Sequence, residues 1–150
     1  MNHLFDSARV DEVKARLQRL QPDTPAQWGK MRAPQMVAHC VVSMEMAVGD
    51  VKPPRMLAGR LMGWFVKPLA LGNDAPMQRN SPTSPILLVT DERDLDADRR
   101  RLLTLIDRFA AAGPAGCTTH PHTFFGPMTP DQWAILMYKH LDHHLRQFGV

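Results

Sequence analysis

The chain has 150 residues, of which 44% are hydrophobic and 22% charged, the ordinary balance of a soluble globular domain. Its net charge of +3 is mild, and its densest basic run sits among aspartates in "DERDLDADRRR", so the nucleic-acid footprint is weak and no nucleic-acid partner is expected. No apolar stretch reaches the ~18 residues of a membrane span, because "MLAGRLMGWFVKPLAL" is interrupted by Arg60 and Lys67.

One domain over residues 1–150 is expected, and at this length about 68–70% of the unfolded surface can be buried without staples. The start, "MNHLFDSARVDEVK", has no apolar signal region. Together with only two cysteines, Cys40 and Cys117, this points to a cytoplasmic protein with reduced, unbridged thiols.

The spacing of Val10, Val13, Leu17 and Leu20 predicts a first helix from Ser7 to Leu20, stopped by "QPDTP". "TPAQ" at 24–27 has the pattern of a short capped turn. A second helix is predicted from Ala33, with Pro34 in its first turn and Gly49 at its end. Its stripe is Met36, Val37, Cys40, Val41, Met44 and Val48, with His39 near the edge. Residues 55–67 read as helical, and 72–85 as a long Pro-rich loop, either functional or packed over the body.

Thr90 can cap a third long helix, with "DERD" in its first turn and Asp96–Arg100 as an i,i+4 pair. Leu95, Leu102, Leu105, Ile106 and Phe109 form its stripe. "CTTHPHTFFGPM" reads as an extended connection, and Thr129 with Gln132 makes a capping box for the last helix. "PILLV" at 85–89 is the only short apolar run of strand type. The expected fold is an all-α four-helix bundle with short extra helices.

The last helix carries the chemistry. With His140 set at zero and about 100° per residue, Trp133 falls near 20°, His144 near 40°, Met137 near 60° and Phe148 near 80°. Leu136 falls near −40° and His143 near −60° on the same scale. His140 and His144 thus occupy the middle of the apolar face, and His143 its rim. Two imidazoles at i and i+4 can present nitrogens to one point, as in a helical metal chelate. They can equally be core histidines paired with carbonyls or carboxylates, and that alternative stays open.

A third ligand would have to come from elsewhere. His39 is the best placed, since its neighbour Cys40 points about 100° away. His120 and His122, in an His-x-His pattern on an extended segment, are weaker candidates, and His3 lies in a terminus expected to be mobile. Cys117 reads as a free thiol. Glu45 and Asp142 can be read as residues supporting a ligand or acting as a general base, or as surface carboxylates.

"QWGKMRAPQMVAHC", "SPILLVTDERD" and "HTFFGPMTPDQWAILMYKHLDHHLRQFGV" resemble the DUF1569 family of the DinB/YfiT-like superfamily of proposed metal-dependent enzymes. The resemblance covers nearly the whole chain. It implies an up-down-down-up four-helix bundle. It also implies a three-histidine site with one ligand from the second helix and an i,i+4 pair from the last. These positions fall on His39, His140 and His144. The divalent metal implied is zinc, nickel or iron, and three imidazoles would also accept copper.

The implied function is a metal-dependent enzyme acting on a small-molecule substrate, with thiol-dependent transferases or isomerases and hydrolases as the reaction classes. The competing reading is a non-enzymatic, stress-related or ligand-binding bundle whose metal is structural or absent. A third reading is partner binding through the Met-rich helix at 55–67 that carries Trp64. A homodimer is expected because such bundles often pair. His143 is expected to support the site from its rim by bonding a ligand or a carboxylate.

Overall fold

The computed structural model describes residues 1–81 and 83–150. Among them are five α-helices and no strand: α1 (Ser7–Leu17), α2 (Ala33–Val48), α3 (Leu57–Leu71), α4 (Leu95–Ala112) and α5 (Pro130–Gln147). The fold is therefore all-α, as expected. α2 packs most extensively on α4 and also meets α5, while α1 meets both α4 and α5. These four helices enclose the core, and α3 lies against α5.

The core follows the predicted stripes. Val10, Val13 and Leu17 of α1, Met36, Val37 and Met44 of α2, and Leu102, Ile106 and Phe109 of α4 are all buried. α5 is buried nearly all round, with Trp133, Met137, Leu141 and Leu145 inside. Full burial of each such side chain contributes roughly 1.5–3 kcal/mol, so these stripes decide how the helices pair. The N-terminal segment is packed rather than mobile. Leu4 is buried, and its amide donates to the Ala134 carbonyl at 3.2 Å.

Several boundaries differ from the sequence reading. α1 ends at Leu17 rather than Leu20, because Arg99 of α4 donates to the Gln18 and Leu20 carbonyls at 3.3 and 2.8 Å and satisfies the chain there. No helical turn forms at 24–27, where the Thr24 hydroxyl instead accepts from the Gln21 amide. α3 runs to Leu71, through Pro68.

α4 starts at Leu95, capped by Asp94, whose carboxylate accepts from the Asp96 and Ala97 amides. Thr90 lies upstream, and the "DERD" acids precede the helix rather than fill its first turn. Arg93 forks onto both oxygens of Asp98 at 2.9 Å and holds that approach. Asp96 pairs with Arg99 at i,i+3 rather than with Arg100. "PILLV" forms a 3-10 turn over Pro85–Leu87. The segment around His122 holds only an isolated bridge, His122 to Gly126. Both cysteines are free, Cys40 buried and Cys117 partly so.

α3 inverts the usual pattern. Its inner face is Gly59 and Gly63, where an added Cβ would overlap the backbone of Phe124. Its outer face leaves Leu57, Leu61, Trp64, Phe65 and Leu69 each more than 60% exposed. The Met56 amide donates to the Thr123 carbonyl at 2.9 Å, so the start of α3 is tied to the segment that its glycines rest on. Gly63→Ala should therefore push α3 off the 122–126 segment and cost about 1–3 kcal/mol by overpacking. Denaturant unfolding of the variant measures it, and an unchanged midpoint would refute the close approach.

Candidate metal centre

α2 contributes His39, and α5 contributes His140 and His144 one turn apart. One ring nitrogen from each of the three lies within 4.8 Å of the others, so the group could hold a metal ion. The His39 and His140 Nε2 atoms are 2.9 Å apart. Imidazole nitrogens about 2.0–2.1 Å from a shared tetrahedral zinc lie about 3.3 Å from each other, so this pair would need to part by only a few tenths of an ångström to serve as co-ligands. The ring centroids of His144 lie 4.6 Å from His39 and 4.7 Å from His140.

Two of the tautomers are fixed by neighbours. His39 Nδ1 is 2.8 Å from the Leu87 carbonyl. A carbonyl only accepts, so Nδ1 carries the proton and Nε2 offers its lone pair. His144 Nδ1 is 2.8 Å from Gln147 Oε1. The Gln147 amide nitrogen donates to the Trp28 carbonyl at 2.7 Å, which sets the amide's orientation. His144 therefore also carries its proton on Nδ1 and turns Nε2 inward. Such outer partners orient a ligand and raise its basicity. Without an ion, one proton satisfies the remaining pair, His140 Nε2–H donating to His39 Nε2.

Burial keeps these imidazoles neutral, which is the ligating form. It is the main cause in all three. The His140 pKa is pushed well below the ordinary 6.5, first by burial and then by the neighbouring His144 and His39. His144 is pushed down to about 3 by burial and by His39. His39 is lowered by burial, partly offset by the Leu87 bond.

The three residues line a cavity of about 1080 Å³, bounded also by Met62 and Val66 of α3 and by Leu87, Phe125 and Leu136. That is slightly above the few-hundred-to-1,000 Å³ range of small-molecule sites. His122 and His143 line the same cavity. His143 is not one of the converging three. Its ring meets the edge of Trp28 at 5.7 Å, and it lies beside the Met77 backbone. Among the described residues His143 makes no hydrogen bond to a ligand or a carboxylate, and Gln147 is the residue that orients His144. Gln147 was missed in the sequence, although its i,i+3 spacing from His144 was a usable signal.

The other candidates are placed elsewhere. His120 Nε2 donates to the Pro53 carbonyl at 2.8 Å, and His3 Nδ1 accepts from the Phe5 amide. Glu45 and Asp142 are neither surface groups nor lining residues of the histidine cavity. Each is 7% exposed, Glu45 paired with Arg101 and Asp142 with Arg16 and Arg146, both at 2.8 Å. Burial raises the Cys40 thiol pKa, and burial together with Asp131 raises that of Cys117 to about 11. Neither is an activated nucleophile.

The depressed histidines have a stability consequence. His39, His122, His140, His143 and His144 all have folded pKa values below the unfolded 6.5. Below pH 6.5 the unfolded chain then binds more protons than the native one, so stability falls as pH falls. Each full proton of difference adds about 1.4 kcal/mol per pH unit to the slope. Urea unfolding of the metal-free protein should lose stability steeply from pH 7 to pH 5, whereas a flat profile would contradict neutral burial.

No curated protein and no solved structure matches the chain. The family described as "Protein of unknown function (DUF1569)" matches residues 3–149. With 147 of 150 positions inside that match (3 through 149), the chain belongs to the DUF1569 family.

Proposed function

We propose that this protein is a metal-dependent enzyme in which His39, His140 and His144 hold one divalent ion, zinc, nickel or iron. One observation carries the reading: three neutral imidazoles converge at the wall of a large cavity, two with Nε2 turned inward by fixed Nδ1–H bonds. A structural site closes a four-ligand shell, whereas a catalytic one keeps a position open. Among the described residues only three donors gather here, and they face a space that admits a small molecule. A bound ion would lower the pKa of a water or a low-molecular-weight thiol that reached it. The thiol would have to come from outside, because Cys40 is buried away from the cavity.

The reaction class that fits is thiol-dependent transfer or isomerisation, or hydrolysis. We further propose membership of the DinB/YfiT-like superfamily, with α1, α2, α4 and α5 in up-down-down-up order. The one-plus-two histidine pattern on α2 and α5 and the pairwise packing of these helices support that reading. The free thiols fit a reducing, cytoplasmic setting. No described helix is long and apolar enough to cross a membrane.

A second copy of the chain is the proposed cover for the outer face of α3. Trp64 at 71% and Phe65 at 63% exposure leave on the order of 250 Å² of aromatic surface in water. Leu57, Leu61 and Leu69 extend this patch, which then rivals the largest patches of ordinary monomers.

Elemental analysis of untagged protein purified without chelator should find one equivalent of metal per chain. His144→Ala should abolish it, His143→Ala should retain most of it, and Gln147→Leu should weaken affinity about 10–100-fold. Loss of metal from His143→Ala but not from His144→Ala would reverse the assignment. Light scattering should give a dimer that Trp64→Glu converts to monomer, and a wild-type monomer at high concentration would remove the α3 interface.

A further inference from the structure

His122 shares the cavity with the three converging histidines but differs from them in its bonding. Its Nδ1 accepts from two backbone amides, those of Phe124 and Phe125, each at 3.1 Å. An atom that accepts twice carries no proton. The single proton of the neutral ring is therefore on Nε2. The ring is held in place by stacking on Phe125 at 5.0 Å and by edge contact with Trp133 at 5.4 Å. Among the described residues, no protein group accepts from Nε2. His3 likewise accepts a backbone amide on Nδ1 and His120 bonds the Pro53 carbonyl through Nε2, but neither lines the cavity. His122 is thus a fixed, unused hydrogen-bond donor on the wall of the cavity.

The charge on the cavity's own lining has one sign, although Asp74 lies near enough to Lys139 to act on it. No aspartate or glutamate appears among the described residues that line the cavity, while Lys30 and Lys139 do. Lys67 lies close enough to His122 to influence it. Lys139 spends two of its protons on the Ala70 and Asn73 carbonyls, at 2.6 and 3.0 Å, and keeps its positive charge at the cavity edge. The rest of the wall is largely apolar, from Met56, Met62, Val66, Leu69, Leu87 and Phe125. A cavity with cationic edges, a fixed N–H donor and apolar walls complements an amphipathic anion.

We propose that the cavity takes a small monoanion with an apolar body, and that His122 Nε2–H is the recognition group that receives an oxygen of its head. The apolar body lies along α3 and the Leu87 turn, and the head faces the histidine cluster. His122 stays a donor throughout, since taking up a second proton on Nδ1 would break both amide bonds. This assignment deepens the metal-dependent reading by naming the substrate class. It does not require the metal, because donor and lysines belong to the chain itself.

The test is calorimetric titration with octanoate and with octylammonium, which share a chain and differ in charge. Both metal-free and zinc-loaded protein are used. Octanoate should bind the metal-free protein and octylammonium should not. His122→Phe keeps an aromatic ring without the donor and should weaken octanoate binding about tenfold, the scale of a lost hydrogen bond to a charged acceptor. His122→Gln restores an N–H near the same place and should recover most of that loss.

The wild-type protein supplies a second readout that does not depend on how the variants fold. In nitrogen-15 spectra His122 should be the Nε2–H tautomer, and octanoate should shift the Nε2 signal more than Nδ1. Equal binding of the two probes overturns the proposal. So does octanoate affinity unchanged in His122→Phe, an unmoved Nε2 signal, or no octanoate binding at all. Failure to bind zinc with octanoate recognition intact would overturn the metal reading and leave this one standing.

Discussion

Burying imidazole nitrogens without charging them is the constraint on which the rest of this structure depends. His39 and His144 are almost wholly removed from water, and an ionised ring there would have no carboxylate to offset it. The fold answers with acceptors that take the Nδ1 proton, the Leu87 carbonyl for His39 and Gln147 Oε1 for His144. Each acceptor fixes one end of a ring and thereby frees the other. The inward lone pairs follow from hydrogen-bond bookkeeping at the outer nitrogens. Gln147 is set for this role because the Trp28 carbonyl takes one of its side-chain amide protons and the Gln27 amide donates to its backbone carbonyl. The segment between α1 and α2 is thus held against the C-terminal turn of α5 for a reason that reaches the site.

The same economy sorts the charges. Among the described residues three carboxylates are buried, Glu45, Asp98 and Asp142, and each sits against arginine: Arg101, Arg93, and Arg16 with Arg146. Paired in this way, none of them is among the charges acting on His39, His140 or His144, and only Asp142 reaches a cavity histidine, His143 at the rim. Leaving any of them unpaired beside the histidines would raise those rings' pKa and favour protonation over metal ligation. Separation of the acids from the imidazoles therefore keeps the cluster neutral and leaves the cavity with lysines at its edge.

How much of this was legible in the sequence varied by element. The face of α5 could be read from rotation per residue, because a regular helix makes His140, His144, Trp133 and Met137 neighbours whatever surrounds them. The stripes of α1, α2 and α4 were equally plain, since one residue period decides them. Helix ends were not. Thr90 and Asp94 are both good caps, and the choice between them rests on Arg93 reaching Asp98. α1 stops where Arg99 arrives from a helix about 80 residues away. The outer partners of the histidines were hidden for the same reason. The Leu87 and Trp28 carbonyls and the amides behind His122 are backbone groups, identical at every position until the chain is folded. The role of "PILLV" was invisible in its side chains, since what it contributes to His39 is a carbonyl.

α3 joins the two halves of the molecule's chemistry. Its glycines bring its backbone onto Phe124, and the amide of Phe124 is one of the two that fix His122. Its Met62 and Val66 form part of the cavity wall, while Trp64 and Phe65, between them in sequence, face away from the body. A helix with bulky apolar residues on its inner side would have packed deeper and displaced the segment beneath it. Glycine there allows contact without depth, and the apolar residues are left outside. A partner covering that outer face, as proposed, would press on a helix whose other side lines the cavity and rests on the segment that carries His122. Close packing transmits such displacement rather than absorbing it. The proposed association through α3 and the shape of the cavity would then be one mechanical problem, with Gly59 and Gly63 as the point where the two meet.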